Sequence, residues 1–170
     1  SRSIEAQSPN VIFILVDDLG YNDLSCQGAT DIFTPEIDKL AANGIRFTSA
    51  YVTAPQCGPS RAGLMTGISQ SRFSYFDNSS NMGIPDENLL PTMAEQFHYA
   101  GYTTGVIGKW HIGNIEEDDG NFTRNGNNPW ERGFDYVLTI EGGLSHYFPY
   151  STGGKNWMTS RNREYRLTEK

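Results

Sequence analysis

Residues 11–16 form an unbroken apolar run, Val-Ile-Phe-Ile-Leu-Val, rich in β-branched side chains. An apolar run without alternation predicts a central parallel strand covered on both faces. It ends in Asp17-Asp18 and then Leu19-Gly20. Neighbouring strand residues point to opposite faces, so two adjacent carboxylates converge on one ion only where the chain turns, and Leu19-Gly20 supplies a turn. Residues 34–44 switch to a helical pattern, with Thr34 as N-cap, Pro35 first, Glu36 and Asp38 early and Gly44 past the end. Its apolar face is Ile37, Leu40 and Ala41. Residues 45–52 alternate as a strand, 60–66 and 92–100 read as helices closed by Gly67 and Gly101, and 102–107 and 134–140 read as strands. Between them, residues 69–88 are predicted to be an irregular surface excursion and 114–130 a solvated loop, while the tail after Pro149 has weak strand character. Repeated strand, helix, strand order predicts an α/β fold with a mostly parallel central sheet and helices on both faces. In such sheets ligands sit beyond the carboxyl ends of the strands, where Asp17-Asp18 and Gly108-Lys109-Trp110-His111 fall.

The chain of 170 residues is long enough for one sizeable core. Its formal charge of -7 argues against a nucleic-acid surface, which needs clustered Lys and Arg. An anionic substrate must therefore be attracted by local charge. No apolar run reaches the length of a membrane span. The acidic stretch Glu116-Glu117-Asp118-Asp119 lacks the alternating ligands of a calcium loop. Asn78-Ser79-Ser80 and Asn121-Phe122-Thr123 match glycosylation acceptors, a pattern too short to decide anything about the host.

Around Cys57, Pro59 stands where a helix begins and Gly67 where it stops. That places the thiol at a helix N-terminus with Arg61 close behind, where unpaired backbone N–H groups and the guanidinium favour a tetrahedral oxyanion. Cys57-x-Pro59-Ser60-Arg61 followed by Leu64-x-Thr66-Gly67 resembles, at every position, the modification signature of the type I sulfatases, which have an alkaline-phosphatase-like fold. A cysteine phosphatase would need a longer spacing between Cys and Arg. In the sulfatase family the cysteine is oxidised by a maturating enzyme to formylglycine. Its hydrate attacks sulfur through one hydroxyl and displaces the alcohol, and deprotonation of the other hydroxyl lets the adduct collapse to aldehyde and sulfate. A plain serine would remain esterified.

The resemblance implies more, residue by residue. Asp17 and Asp18 match two calcium ligands, to which modified Cys57 adds an oxygen; further ligands are expected beyond Lys170, since calcium takes about six to eight oxygens. Arg61 would orient the diol, Lys109 would clamp a sulfate oxygen, and His111 would hydrogen-bond the diol and assist its collapse. His146 stands at even odds between a substrate contact and a surface histidine, and His98 reads as structural. Cys57 being committed to modification, Cys26 is expected to be a buried free thiol. Family members are several times longer, so residues 1–170 are expected to be the front portion of a catalytic domain, inactive alone. The implied activity is calcium-dependent hydrolysis of a sulfate ester, with a sulfated carbohydrate favoured, in a periplasmic, extracellular or lysosomal setting. Phosphate mono- or diester hydrolysis, or calcium-dependent glycan binding with Cys57 unmodified, remain the alternatives.

Overall fold

Local signals set the helices. The computed structural model describes residues 8–78, 83–86, 88–113, 116–118, 121–123, 127–140, 157–160 and 163–166, with the short hairpin and the last two strands described by backbone alone. The chain divides into two units, Ser1–Ala50 and Tyr51–Lys170.

In the first unit, α1 (Pro35–Asn43) starts on Pro35 with Glu36 and Asp38 in its first turn, as the cap pattern requires. The Thr34 hydroxyl does not cap it. It accepts from the Ser25 backbone N–H at 3.1 Å, and Asp38 Oδ1 accepts from the Cys26 N–H at 2.9 Å. These bonds tie the 3-10 turn Ser25–Gln27 to the start of the helix. Cys26 is a half-buried free thiol, less enclosed than its sequence suggests. The apolar run 11–16 is not a strand here, and its side chains are exposed, from 44% at Leu15 to 86% at Ile12. The run 45–52 is likewise extended without strand pairing. A strand exists through its ladder of bonds to a neighbour, and among the described residues nothing pairs with either segment.

In the second unit, β1 (Gly105–Lys109) and β4 (Tyr136–Ile140) pair in parallel, from Gly105 opposite Tyr136 to Lys109 opposite Ile140. β5 (Trp157–Ser160) adds antiparallel to β4, and β6 (Arg163–Arg166) antiparallel to β5. β2 (Glu116–Asp118) and β3 (Asn121–Thr123) form a separate hairpin inside the segment expected to be a loop. Thus the parallel pair arises where the strand signals are strong, and the weakly patterned tail forms the antiparallel edge.

The core gathers Ala62, Tyr75, Ile84, Ala94, Trp110, Ile112, Phe134 and Val137. α2 (Cys57–Thr66) and α3 (Met93–Tyr99) supply Ala62 and Ala94, and the Trp110 indole meets the Phe134 ring edge-on at 5.9 Å. Tyr75 and Ile84 come from the supposed surface excursion, which is therefore partly interior. The reason is a buried polar node. Arg132 Nε donates to Glu95 Oε1 at 2.8 Å, and its Nη atoms donate to the carbonyls of Pro85 and Leu90, both at 3.0 Å. Asn127 Oδ1 accepts the Ile84 N–H at 2.8 Å, while its carbonyl accepts Trp110 Nε1 at 2.8 Å. Glu95 also closes a capping box with Thr92, whose hydroxyl donates to the Arg132 carbonyl at 3.0 Å. Four segments are thereby fastened around two charges that are each 3% exposed.

Breaking such a pair strands the surviving charge in the interior. Arg132→Ala is expected to destabilise this unit by about 3–5 kcal/mol. Urea unfolding followed by near-ultraviolet circular dichroism measures it; a loss under about 1 kcal/mol would show that the node is held elsewhere.

Candidate active site

Gln56 precedes α2 in an extended conformation, φ -101° and ψ 147°, and its carbonyl accepts the first helical bond from Ser60 at 3.1 Å. The helix begins at Cys57, two residues earlier than its proline signals. Pro59 occupies the third helical position, still among those with no intrahelical use for an N–H. Gly67, at φ 66°, ends the helix in the left-handed conformation. The half-buried Cys57 side chain is thus fixed on the first turn, and Arg61 follows one turn later.

The second contributor is the segment that leaves β1. Trp110 and Ile112 are buried, 3% and 5% exposed, while Lys109, His111 and Gly113 between and beside them are half-buried. Anchoring of alternate residues in the core sets the others apart from it. Gly108 has φ 108° and Gly113 φ 86°, and His111 itself has φ 54°. A left-handed conformation at a non-glycine residue costs on the order of 1–3 kcal/mol and is retained where surrounding contacts enforce it. The contacts are visible. His111 Nδ1 lies 3.0 Å from Cys57 Sγ, and Arg61 Nη1 donates to the Lys109 carbonyl at 2.6 Å. Of the four residues expected together, Cys57 meets His111 through their side chains, and Arg61 meets Lys109 at its backbone carbonyl.

Two further residues meet them. The Tyr75 side chain is 2% exposed, and its hydroxyl interacts with the Gly113 backbone. Burial pushes its pKa above the ordinary tyrosine range, the Gly113 bond opposing and the neighbouring Cys57 and Asp77 reinforcing, so the phenol is held neutral. Asn78, the head of a glycosylation pattern, turns its amide onto the first turn of α2: Nδ2 lies 3.5 Å from Cys57 Sγ, and Oδ1 accepts the Gly58 N–H at 3.0 Å. Sequence reasoning missed both because they sit in the irregular segment 69–88. The available signal was Gly58 itself, a glycine inside a helix. A Cβ there would lie 2.8 Å from both Asn78 Oδ1 and Tyr75 Oη and 3.2 Å from the His111 carbonyl.

Asp17 and Asp18 belong to the first unit. The chain does turn at the pair, with Asp18 at φ 54°. Their hard carboxylate oxygens fit calcium by type but fall short in number, and among the described residues no group of three or more His, Cys, Asp or Glu is close enough to hold a metal. His146 lies outside the described residues. His98, on α3, is exposed, with Nδ1 3.5 Å from Asp135 Oδ2. Thr104, donating from its backbone and side chain to Asp135, helps hold that carboxyl below its usual range. A cavity of about 920 Å3 along β1 and β4, with Val106, Ile107 and Tyr136 in its walls, includes none of the residues around Cys57. His98 and Asp135 also line it, beside a mostly apolar wall.

The fold is that of part of known sulfatase structures. The chain is similar to Ps i-CgsB, with a TM-score of 0.79 and 36% identity over 96% of this chain and 38% of that one. It is also similar to a protein solved with its substrate D-glucosamine-2-N,6-O-disulfate, with a TM-score of 0.60 and 34% identity over 78% of this chain and 23% of that one. Among sequences, it is 43% identical to N-acetylgalactosamine-6-O-sulfatase of Bacteroides thetaiotaomicron over 145 residues, 79% of this chain and 27% of that protein. It is 46% identical to human arylsulfatase A over 112 residues, 64% of this chain and 22% of that protein. The Sulfatase family model matches residues 9–167, and the chain belongs to that family. It spans roughly a quarter of the length of these two relatives. Among the described residues no helix is long and apolar enough to cross a membrane.

At an ordinary helical position Gly→Ala stabilises by up to about 1 kcal/mol. Gly58→Ala is expected instead to destabilise by about 1–3 kcal/mol, because Asn78, Tyr75 and the 111 backbone must move apart. Denaturant unfolding decides the sign, and a stabilised variant would show that this junction is looser than described.

Proposed function

We propose that this chain carries the nucleophile of a sulfate ester hydrolase, with Cys57 converted to formylglycine as the attacking group. The observation that supports it most directly is Cys57 on the first turn of α2, 3.0 Å from His111 Nδ1 and one turn from Arg61, in a chain of the sulfatase family. The modification supplies a hydrated aldehyde, whose two oxygens allow attack on sulfur and later release of sulfate without a stable ester. Around it, the first turn of α2 and Arg61 favour negative charge, His111 exchanges a proton with an oxygen of residue 57, and Lys109 holds a sulfate oxygen. Sγ in the thiol form marks where those oxygens would be. Asp17 and Asp18 are proposed as calcium ligands to be joined by further oxygen donors, and the ion would supply positive charge toward the sulfate group.

A sulfated carbohydrate, in particular a sulfated amino sugar, is the proposed substrate class. Support comes from the N-acetylgalactosamine-6-O-sulfatase relative and from the neighbour solved with a disulfated glucosamine. The reading requires a formylglycine-generating or other maturating enzyme as partner, and places the mature protein in a periplasmic, extracellular or lysosomal compartment.

Two outcomes are expected. Mass spectrometry of the peptide containing residue 57 should show a loss of about 18 Da relative to cysteine, restored on hydration. Cys57→Ala should lower turnover of a sulfate ester by at least about 1000-fold with folding intact; near-normal turnover would refute the nucleophile. Separately, Asp17→Asn should weaken calcium binding measured by calorimetry and cut activity, with partial recovery at high calcium. Unchanged calcium affinity would make the aspartate pair a structural turn.

A further inference from the structure

Asn78 is held from both sides of the nucleophile. Its backbone N–H donates to Gln56 Oε1 at 2.7 Å, and its Oδ1 accepts from Gly58 N at 3.0 Å. Gln56 stands at the N-cap, yet its side chain makes no cap bond and reaches Asn78 instead. The residues on either side of Cys57 thus hold Asn78, Gln56 at the Asn78 backbone N–H and Gly58 at the Asn78 side-chain oxygen. Oδ1 accepts from Gly58 and lies 3.9 Å from Cys57 Sγ, while Nδ2 is the nearer of the two to the sulfur, 3.5 Å away. His111 Nδ1 lies 3.0 Å from the same sulfur. The approach is possible only because residue 58 has no Cβ.

We infer that Asn78 is a positioning residue for the nucleophile, fixing the group on Cβ of residue 57 by an amide donor while His111 engages the same group. The inference rests on the formylglycine reading of Cys57. An amide nitrogen only donates, so the oxygen it meets is held as an acceptor with a lone pair toward Asn78. Without that donor the group samples other rotamers, and fewer molecules present the attacking oxygen in line with the ester. Asn78 would act on residue 57 and leave substrate affinity alone.

The test uses the natural full-length protein with a chromogenic aryl sulfate, with kcat normalised to the fraction of residue 57 converted, measured by mass. Asn78→Ala is expected to lower kcat about tenfold with KM changed less than about twofold. Asn78→Asp keeps an acceptor for the Gly58 N–H and removes the donor. Its thermal midpoint should stay near that of the wild type while kcat falls at least as far as in Asn78→Ala. A residue that merely caps α2 would show the reverse, with aspartate restoring both stability and kcat. Unchanged kcat in Asn78→Ala, or restored kcat in Asn78→Asp, overturns the inference. Should Asn78→Ala fail to fold, the aspartate variant decides alone. An active wild type with unconverted Cys57 would instead overturn the reading of the nucleophile.

Discussion

Everything chemical in this chain depends on one junction, where the first turn of α2 abuts the segment leaving β1. The helix contributes a thiol and a guanidinium, and the segment contributes an imidazole and a carbonyl. The bonds from Arg61 to the Lys109 carbonyl and between Cys57 and His111 close it from both ends. A helix start is a natural place for such a group, because its unpaired N–H donors already favour an anion. What the fold adds is a partner held rigidly enough to meet it.

That rigidity comes from well behind the site. Trp110 is anchored through its indole nitrogen to the Asn127 carbonyl, and Asn127 shares a network with Ile84 and Arg132. The ion pair of Arg132 and Glu95 is a costly way to stabilise a protein, since both charges lose water. Its use here is geometric. One planar guanidinium collects carbonyls from segments that have no regular structure of their own, and so fixes loops that neither a sheet ladder nor a helix could hold.

Legibility in the sequence followed the range of the forces involved. The helix behind Cys57 was readable, and the strand expected at 102–107 forms with its end two residues later, at Lys109, because propensity and caps act over a few residues. Cys57, Arg61, Lys109 and His111 were singled out by their resemblance to the sulfatase segments, which short-range sequence spacing carries. Tyr75 and Asn78 were not, since their roles arise from contacts with Gly58 and Gly113 made across an irregular stretch without periodicity. The run 11–16 has the composition of a buried strand, but composition does not supply a neighbour, and here the run is exposed. The antiparallel edge formed by β5 and β6 was visible only as weak strand character, because pairing direction is set by the returning chain and not by residue type.

The left-handed backbone at His111 makes this residue two things at once, an imidazole and a bend. Substitutions there cannot be read as simple deletions of a ring. Valine or isoleucine would carry a steric penalty unrelated to proton transfer, glycine would relax the bend while removing the ring, and asparagine, which visits this conformation most readily among ordinary residues, separates the two effects best. Few replacements of this histidine spare the backbone.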